Sequence, residues 1–103
     1  MIALLNDNFR RSFIGGRVHL TLGVSKLPID VKAQALLRVQ CFDDFAEAND
    51  PYNEHDFGSF EVSGQQFFWK IDYYDLNCEF GSEDPSNPEV TTRVLTIMLA
   101  EEY

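Results

Sequence analysis

Residues 57–74 read FGSFEVSGQQFFWKIDYY, and this stretch decides the fold of the chain. Apolar and polar side chains alternate with a period of two on both sides of Ser63-Gly64. Such alternation, broken by a short turn sequence, is typical of two antiparallel strands joined by a tight turn. We therefore predict a hairpin with strands at about residues 57–62 and 66–74.

The turn also fixes which residues face each other across the hairpin. With the Ser-Gly pair at the centre of the turn, Phe60 lies opposite Phe67 and Gly58 lies opposite Trp69. Both pairs fall on the same face, and the missing side chain of Gly58 leaves room for the indole ring. We expect this face of the hairpin to be buried.

One further step along the register reaches a group of polar residues. His55 then lies opposite Asp72, close to Lys70 and on the other face from Trp69. We therefore expect His55 and Asp72 to contact each other, as a cross-strand pair that fixes the start of the hairpin.

The chain before the hairpin changes between helical and extended patterns. Apolar residues at helical spacing predict a first helix around residues 4–13, with Asn6 and Arg10 on its polar faces. Alternation over residues 18–24 predicts a half-buried strand with an outward-pointing His19. A second apolar stripe predicts a helix from about residue 31 to residue 42.

The last segment, VTTRVLTIMLAEEY at residues 90–103, fits two structures. Its β-branched residues favour a strand, whereas its apolar spacing also fits a helical stripe. The preceding Asn87-Pro88-Glu89 resembles a helix start, so we predict a helix here. The prediction is then a single α+β domain over residues 1–103, ordered α-β-α-β-β-α, with helices packed on one face of a small antiparallel sheet.

Composition excludes several classes of protein. A hydrophobic fraction of 45% is typical of a globular protein. No apolar run is long enough to span a membrane and no signal peptide opens the chain, so we expect a cytoplasmic protein without membrane contact. The two cysteines lack metal-ligand spacing, and no nucleotide-binding or zinc-protease motif is present, so we expect no metal and no cofactor.

Charge is unevenly distributed along the chain. Residues 1–40 carry six basic and two acidic groups, a net of +4, whereas residues 41–103 carry two basic and fifteen acidic groups, a net of -13. The total of -9 disfavours direct nucleic-acid binding and favours a basic partner protein, such as a nucleic-acid-handling complex. The acidic residues that we expect to contact this partner are Asp43, Asp44, Glu47, Asp50, Glu54, Glu79, Glu83 and Asp84.

Four motifs resemble those of a family of small bacterial proteins catalogued as a domain of unknown function. They are NDPY-EHDFG at residues 49–58, KIDYYD at 70–75, GS-DP at 81–85 and TRVLTIMLA-EY at 92–103. Asn53 stands where the resemblance leads us to expect glycine, a difference confined to a loop. The resemblance extends from Leu5 to Tyr103 and implies an origin on plasmids or other mobile elements, but it implies no activity.

Three classes of function remain open. The first is a non-catalytic acidic binding protein that mimics nucleic acid and inhibits a basic host nuclease or defence complex. The second is a small metal-dependent hydrolase centred on His55, Asp56 and Asp72, because carboxylates beside an imidazole can hold a metal or orient a general base. The third is a structural or regulatory homo-oligomer, such as a homodimer, associating through Phe68 and Tyr74. We favour the first class, without catalytic residues, because loop caps and cross-strand pairs use the same polar side chains.

Overall fold

The computed structural model describes all 103 residues and contains a four-stranded sheet with helices on one face. In chain order the elements are α1 (Ile2–Ser12), β1 (Arg17–Leu20), α2 (Leu22–Ser25), α3 (Ile29–Gln40), β2 (Phe57–Val62), β3 (Gln65–Tyr74), β4 (Thr92–Leu99) and a final 3-10 helix (Ala100–Glu102). The strand order is β1-β4-β3-β2, with β1 parallel to β4 and the other neighbours antiparallel. The chain is an α+β protein, as predicted, but its sheet is mixed rather than antiparallel. None of its helices has both the length and the apolar character that crossing a membrane requires.

The central hairpin has the register that the alternation predicts. β2 and β3 are joined through Ser63 and Gly64, whose φ angles of 53° and 79° are both positive. Two positive φ angles in a two-residue turn match the right-handed twist of the flanking strands. Phe60 pairs with Phe67, and their rings stack with centroids 5.1 Å apart.

Gly58 makes room for the largest buried side chain. It pairs with Trp69, which is fully buried. A Cβ atom on Gly58 would collide with the indole nitrogen and would lie 2.6 Å from the Phe42 ring. Phe42 itself meets the indole edge to face, with centroids 5.4 Å apart. Packing around the indole therefore requires a glycine at this position.

The hydrophobic core lies between the helices and one face of the sheet. Phe9 of α1 and Val39 of α3 belong to the same buried cluster as Phe67, Trp69 and Leu95 of the sheet. This is the face that the hairpin register predicts to be covered, because Phe67 and Trp69 alternate with outward-facing neighbours.

The other face of the sheet carries no helix. At one end of it the ring of Tyr103 packs on Phe57 and Phe68, with centroid distances of 5.9 Å and 5.2 Å. Phe68 is therefore only partly accessible to solvent, which makes it less suitable for contact with a second copy of the chain.

The C-terminal segment is the strand β4, and the predicted helix is wrong. β4 is the second strand of the sheet from the β1 edge and lies between β1 and β3. Leu95 and Met98 point to opposite faces of the sheet and are both buried. A segment that is apolar on both faces suits a central strand, and its β-branched residues favour extended backbone. Asn87 caps no helix, since its side-chain oxygen accepts a hydrogen bond from the Glu89 N–H within a turn.

The first strand is shorter than predicted. β1 ends at Leu20, and α2 follows after Thr21. The carboxylate of Glu102 accepts hydrogen bonds from the Thr21 hydroxyl at 2.6 Å and the Gly23 N–H at 3.0 Å. These contacts from the C-terminal 3-10 helix hold the turn into α2. With α2 added and β4 as a strand, the observed order is α-β-α-α-β-β-β, whereas α-β-α-β-β-α was predicted.

Candidate functional site

Two acidic loops lie at the same end of the sheet. The first acidic loop, residues 43–56, leads into β2, and the second acidic loop, residues 75–91, joins β3 to β4. Tyr74 at the end of β3 pairs with Thr92 at the start of β4, and β2 begins beside the same end of β3. The two loops together hold eleven of the seventeen acidic residues and no Lys or Arg.

A buried hydrogen bond between Asn6 and Arg93 ties the two loops together. Nε of Arg93 donates to Oδ1 of Asn6 at 2.7 Å, and Nη2 donates to the Pro85 carbonyl oxygen in the second acidic loop. Nδ2 of Asn6 donates to the Glu54 carbonyl oxygen in the first acidic loop at 2.9 Å and to the Tyr73 hydroxyl at 2.8 Å. Asn6 is 0% exposed and Arg93 is 3% exposed. We call this pair the Asn6–Arg93 clamp.

Arg10 forms a second buried link, between α1 and the end of α3. Its guanidinium donates to the carbonyl oxygens of Val39 at 2.9 Å and Gln40 at 3.1 Å, and it pairs with Asp7 at 3.1 Å. These bonds add side-chain donors to carbonyl groups in the last turn of α3, where the intrahelical hydrogen bonds end. Burial lowers the pKa of Arg10, and Asp7 opposes that shift. The polar face of α1 on which the sequence places Asn6 and Arg10 is therefore buried at these two positions.

His55 lies between carboxylates from two different elements. Its Nδ1 is 3.0 Å from Oδ1 of Asp7, and its Nε2 is 3.7 Å from Oδ2 of Asp50. The ring stacks on Phe45 with centroids 3.9 Å apart and an interplanar angle of 2°. Oδ1 of Asp50 accepts the N–H groups of Glu54 and His55 at 3.0 Å and 3.1 Å. Both ring nitrogens thus face carboxylates, which leaves His55 poorly placed to act as a general base.

The predicted contact between His55 and Asp72 is wrong. His55 has a φ of 56°, so strand alternation begins only at Phe57 and the imidazole turns towards α1. Asp72 instead pairs with Lys70 at 3.0 Å, and this hydrogen bond raises the pKa of Lys70. The residues considered for a hydrolase centre are therefore not one cluster. No group of three or more His, Cys, Asp or Glu side chains in the chain is arranged to hold a metal ion.

Lys70 and Asp72 line a shallow cavity of about 380 Å³ on the sheet face without helices, together with Arg17 and His19 of β1. His19 is exposed there, as its place in the alternation predicts. The sequence gives no sign of this cavity, because β1 and β3 come together only through β4 between them.

Burial changes the acidity of two groups beside the clamp. Burial, and after it the nearby Glu54 carboxylate, raises the pKa of Asp56 above its usual range. Burial also raises the pKa of the Tyr73 hydroxyl, which stays neutral and donates to Oε1 of Glu54 at 3.3 Å. Asp56 is therefore less able to carry charge than an exposed carboxylate.

Most of the acidic residues predicted to contact a partner are on the surface. The exposed ones are Asp43, Asp44, Glu47, Glu79, Glu83 and Asp84. Asp50 is only 7% exposed and holds the loop backbone, and Glu54 is partly buried beside Tyr73. None of the exposed six forms an ion pair within 4.0 Å. Their charge is therefore not neutralised by an ion pair within the chain.

The chain is a small α+β protein in which a buried polar clamp holds two acidic loops at one end of a mixed sheet. The chain belongs to the family described as "Protein of unknown function (DUF3768)", whose sequence pattern matches residues 20–102. This match runs from the end of β1 into the final 3-10 helix, so α1 with Asn6 and Arg10 lies outside it. Neither the curated proteins nor the solved structures give a match.

Proposed function

We propose that this protein is a non-catalytic acidic binding protein that docks on a basic protein through the two acidic loops. The observation that carries the proposal is that the two loops lie at one end of the sheet and contain eleven acidic residues and no Lys or Arg of their own. Like charges held close together repel one another, so the arrangement is unfavourable for the isolated chain. It becomes favourable against a surface of opposite charge.

The clamp supports this interpretation because it fixes the loops before any partner arrives. Asn6 bonds to the backbone of the first loop, and Arg93 bonds to the backbone of the second. Both side chains are buried, so the connection is shielded from water and from salt. Loops that are already positioned lose less conformational entropy on binding, which favours a specific complex.

The hydrolase alternative has less support. The imidazole of His55 faces Asp7 and Asp50 and stacks on Phe45, an arrangement that stabilises the loop. Asp72 lies apart from it, in an ion pair with Lys70. The carboxylates near His55 are engaged in holding backbone and side chains rather than in leaving a site open for substrate.

The chemistry of the loops also suggests the kind of partner. Extended basic surfaces are typical of proteins that bind nucleic acid, because they neutralise phosphate groups. Carboxylates from two loops would occupy part of the surface that phosphates use, so the protein would act as a nucleic-acid mimic. Together with the resemblance to proteins of bacterial mobile elements, this makes an inhibitor of a host nuclease or defence complex in the cytoplasm our preferred function.

The test is a capture experiment followed by kinetics. Tagged protein is incubated with host lysate at about 50 mM and about 500 mM NaCl, and each captured protein is purified and its association rate measured. We expect a basic partner whose association slows by about tenfold or more at the higher salt concentration. At the same salt concentration, the double variants Asp43→Lys/Asp44→Lys and Glu79→Lys/Glu83→Lys should associate more slowly than the wild-type protein. Asp84 is left unchanged because its side chain bonds to Ser86 within the loop.

The matched control is Asp30→Lys/Glu101→Lys, which changes net charge equally but alters exposed residues outside the two loops. It should leave the association rate nearly unchanged if the loops are the binding surface. Capture of no basic partner would overturn the proposal. So would a partner whose binding is insensitive both to salt and to the reversals in the loops.

A further inference from the structure

A groove in the second acidic loop is lined in part by apolar side chains that remain exposed. The Phe80 groove has a volume of about 420 Å³ and is lined by Asp75, Leu76, Phe80, Gly81, Glu83 and Val90. Leu76 is 61% exposed, Phe80 is 71% exposed and Val90 is 39% exposed. Adjacent exposed apolar side chains with a polar rim mark interaction sites on soluble proteins.

The backbone beneath the groove is held in place by hydrogen bonds. The Asp75 N–H donates to the Phe80 carbonyl oxygen at 2.8 Å. Oδ1 of Asp75 accepts the N–H groups of Asn77 at 3.2 Å and Glu79 at 3.0 Å. Phe80 is therefore presented to solvent by an ordered turn. Because the turn is already ordered, binding should cost little conformational entropy on the side of this protein.

The charges around the groove determine what it can accept. Asp75 and Glu83 line it, exposed Glu79 and Glu89 belong to the same loop, and that loop has no Lys or Arg. An acidic peptide or a nucleic acid would be repelled, and a purely apolar occupant would leave the carboxylates without a counter-charge. The complementary occupant is an apolar side chain with positive charges on either side.

We propose that the Phe80 groove anchors one apolar side chain of a basic segment of the partner protein. The inference rests on the proposed function and deepens it, because it separates two contributions to binding. Carboxylates speed and orient the encounter, whereas burial of the apolar side chain on Leu76, Phe80 and Val90 lengthens the life of the complex. Interfaces commonly draw most of their affinity from a few such buried anchors.

The test uses two fluorescent peptides of about 12 residues with the same number of Lys and Arg residues. One has Phe at its centre, and the other has Ser there. At near-physiological salt we expect the Phe peptide to bind the wild-type protein about tenfold more tightly, measured by fluorescence polarisation. Phe80→Ala should reduce this preference to about twofold or less while leaving the Ser peptide unaffected. Leu76→Ala serves as a second variant with the same expectation.

Tyr52→Ala is the matched control, because Tyr52 is an 84% exposed aromatic residue in the other acidic loop. It should keep the full preference for the Phe peptide. If both peptides bound the wild-type protein equally and in a salt-sensitive way, the proposal of an apolar anchor in the groove would be wrong. The proposed acidic docking surface would remain supported. A preference that survives Phe80→Ala, or that Tyr52→Ala removes equally, would also overturn it. Absence of binding by both peptides at low salt would count against the groove and the acidic surface alike.

Discussion

The side chains of Asn6 and Arg93, which lie 87 residues apart in the sequence, meet in a buried hydrogen bond of 2.7 Å. From this pair, further hydrogen bonds reach Glu54 in the first acidic loop and Pro85 in the second. The Arg93 guanidinium also lies over the Tyr73 ring, 5.3 Å from its centroid. The clamp is thus the point at which α1, β4 and both acidic loops are held together.

Asn6→Ala should lower the free energy of unfolding by about 3 kcal/mol, because it leaves Nε of the buried Arg93 and the Glu54 carbonyl oxygen without the Asn6 amide. Urea denaturation monitored by circular dichroism measures the change. Asn8→Ala is the control, since Asn8 is an exposed residue of the same helix, and it should change stability by less than about 0.5 kcal/mol. If both substitutions changed the free energy of unfolding by similarly small amounts, the clamp would not stabilise the fold.

Gly58→Ala should destabilise the fold by about 1–3 kcal/mol, because the added methyl group would collide with the Trp69 indole and the Phe42 ring. The neighbouring Ser59→Ala, on the exposed side of the same strand, should be nearly neutral. Thermal and urea unfolding of both variants provide the comparison. If alanine were as well tolerated at Gly58 as at Ser59, the packing of the indole against the strand would be wrong.

The contact of His55 with Asp7 should stabilise the first acidic loop. His55→Gln should cost about 1–2 kcal/mol, and a double-mutant cycle with Asp7→Asn should give a coupling energy of about 1 kcal/mol. His19→Gln, at the exposed histidine of β1, is the control and should have almost no effect. A His55 variant that keeps full stability but loses all binding would instead assign this histidine a direct functional role.

Asp56→Asn should make the protein more stable at pH 7. The folded state raises the pKa of Asp56, so it holds the proton more tightly than the unfolded chain, and the ionised carboxylate destabilises the fold above that pKa. The gain should shrink as pH falls through the raised pKa and vanish below the ordinary value of 3.8. Urea unfolding across this pH range measures it.

Glu89→Gln, at an exposed acidic residue of the second loop, is the control for this pH dependence. It removes a carboxylate from the same end of the sheet without removing one from a buried environment. Its effect should therefore be small and should lack the rise with pH expected for Asp56→Asn. A loss of stability in Asp56→Asn at pH 7 would mean that the ionised Asp56 has a stabilising contact.

Local pattern was sufficient for the hairpin. The alternation from Phe57 to Tyr74 and the Ser63-Gly64 turn predict both the strands and their pairing, because a period of two and a two-residue turn leave one register that buries the apolar face. The place of Gly58 opposite Trp69 follows from the same register. The α+β class and the exposed acidic residues of the two loops follow from pattern and composition alone.

Local pattern was insufficient where the same spacing of apolar residues fits both a helix and a strand. It was also insufficient where the partner of a residue is distant in the sequence. The pattern of the β4 segment fits both a helix and a strand, and only its place between β1 and β3 selects the strand, because neighbours on both sides pair with its backbone N–H and C=O groups. The positive φ of His55 directs the imidazole to Asp7, which no extrapolation of the register reveals. Asn6 and Arg93 look like surface residues in the sequence, since polar side chains are normally solvated. Their burial depends on each supplying the other's hydrogen bond, and tertiary structure alone brings such partners together.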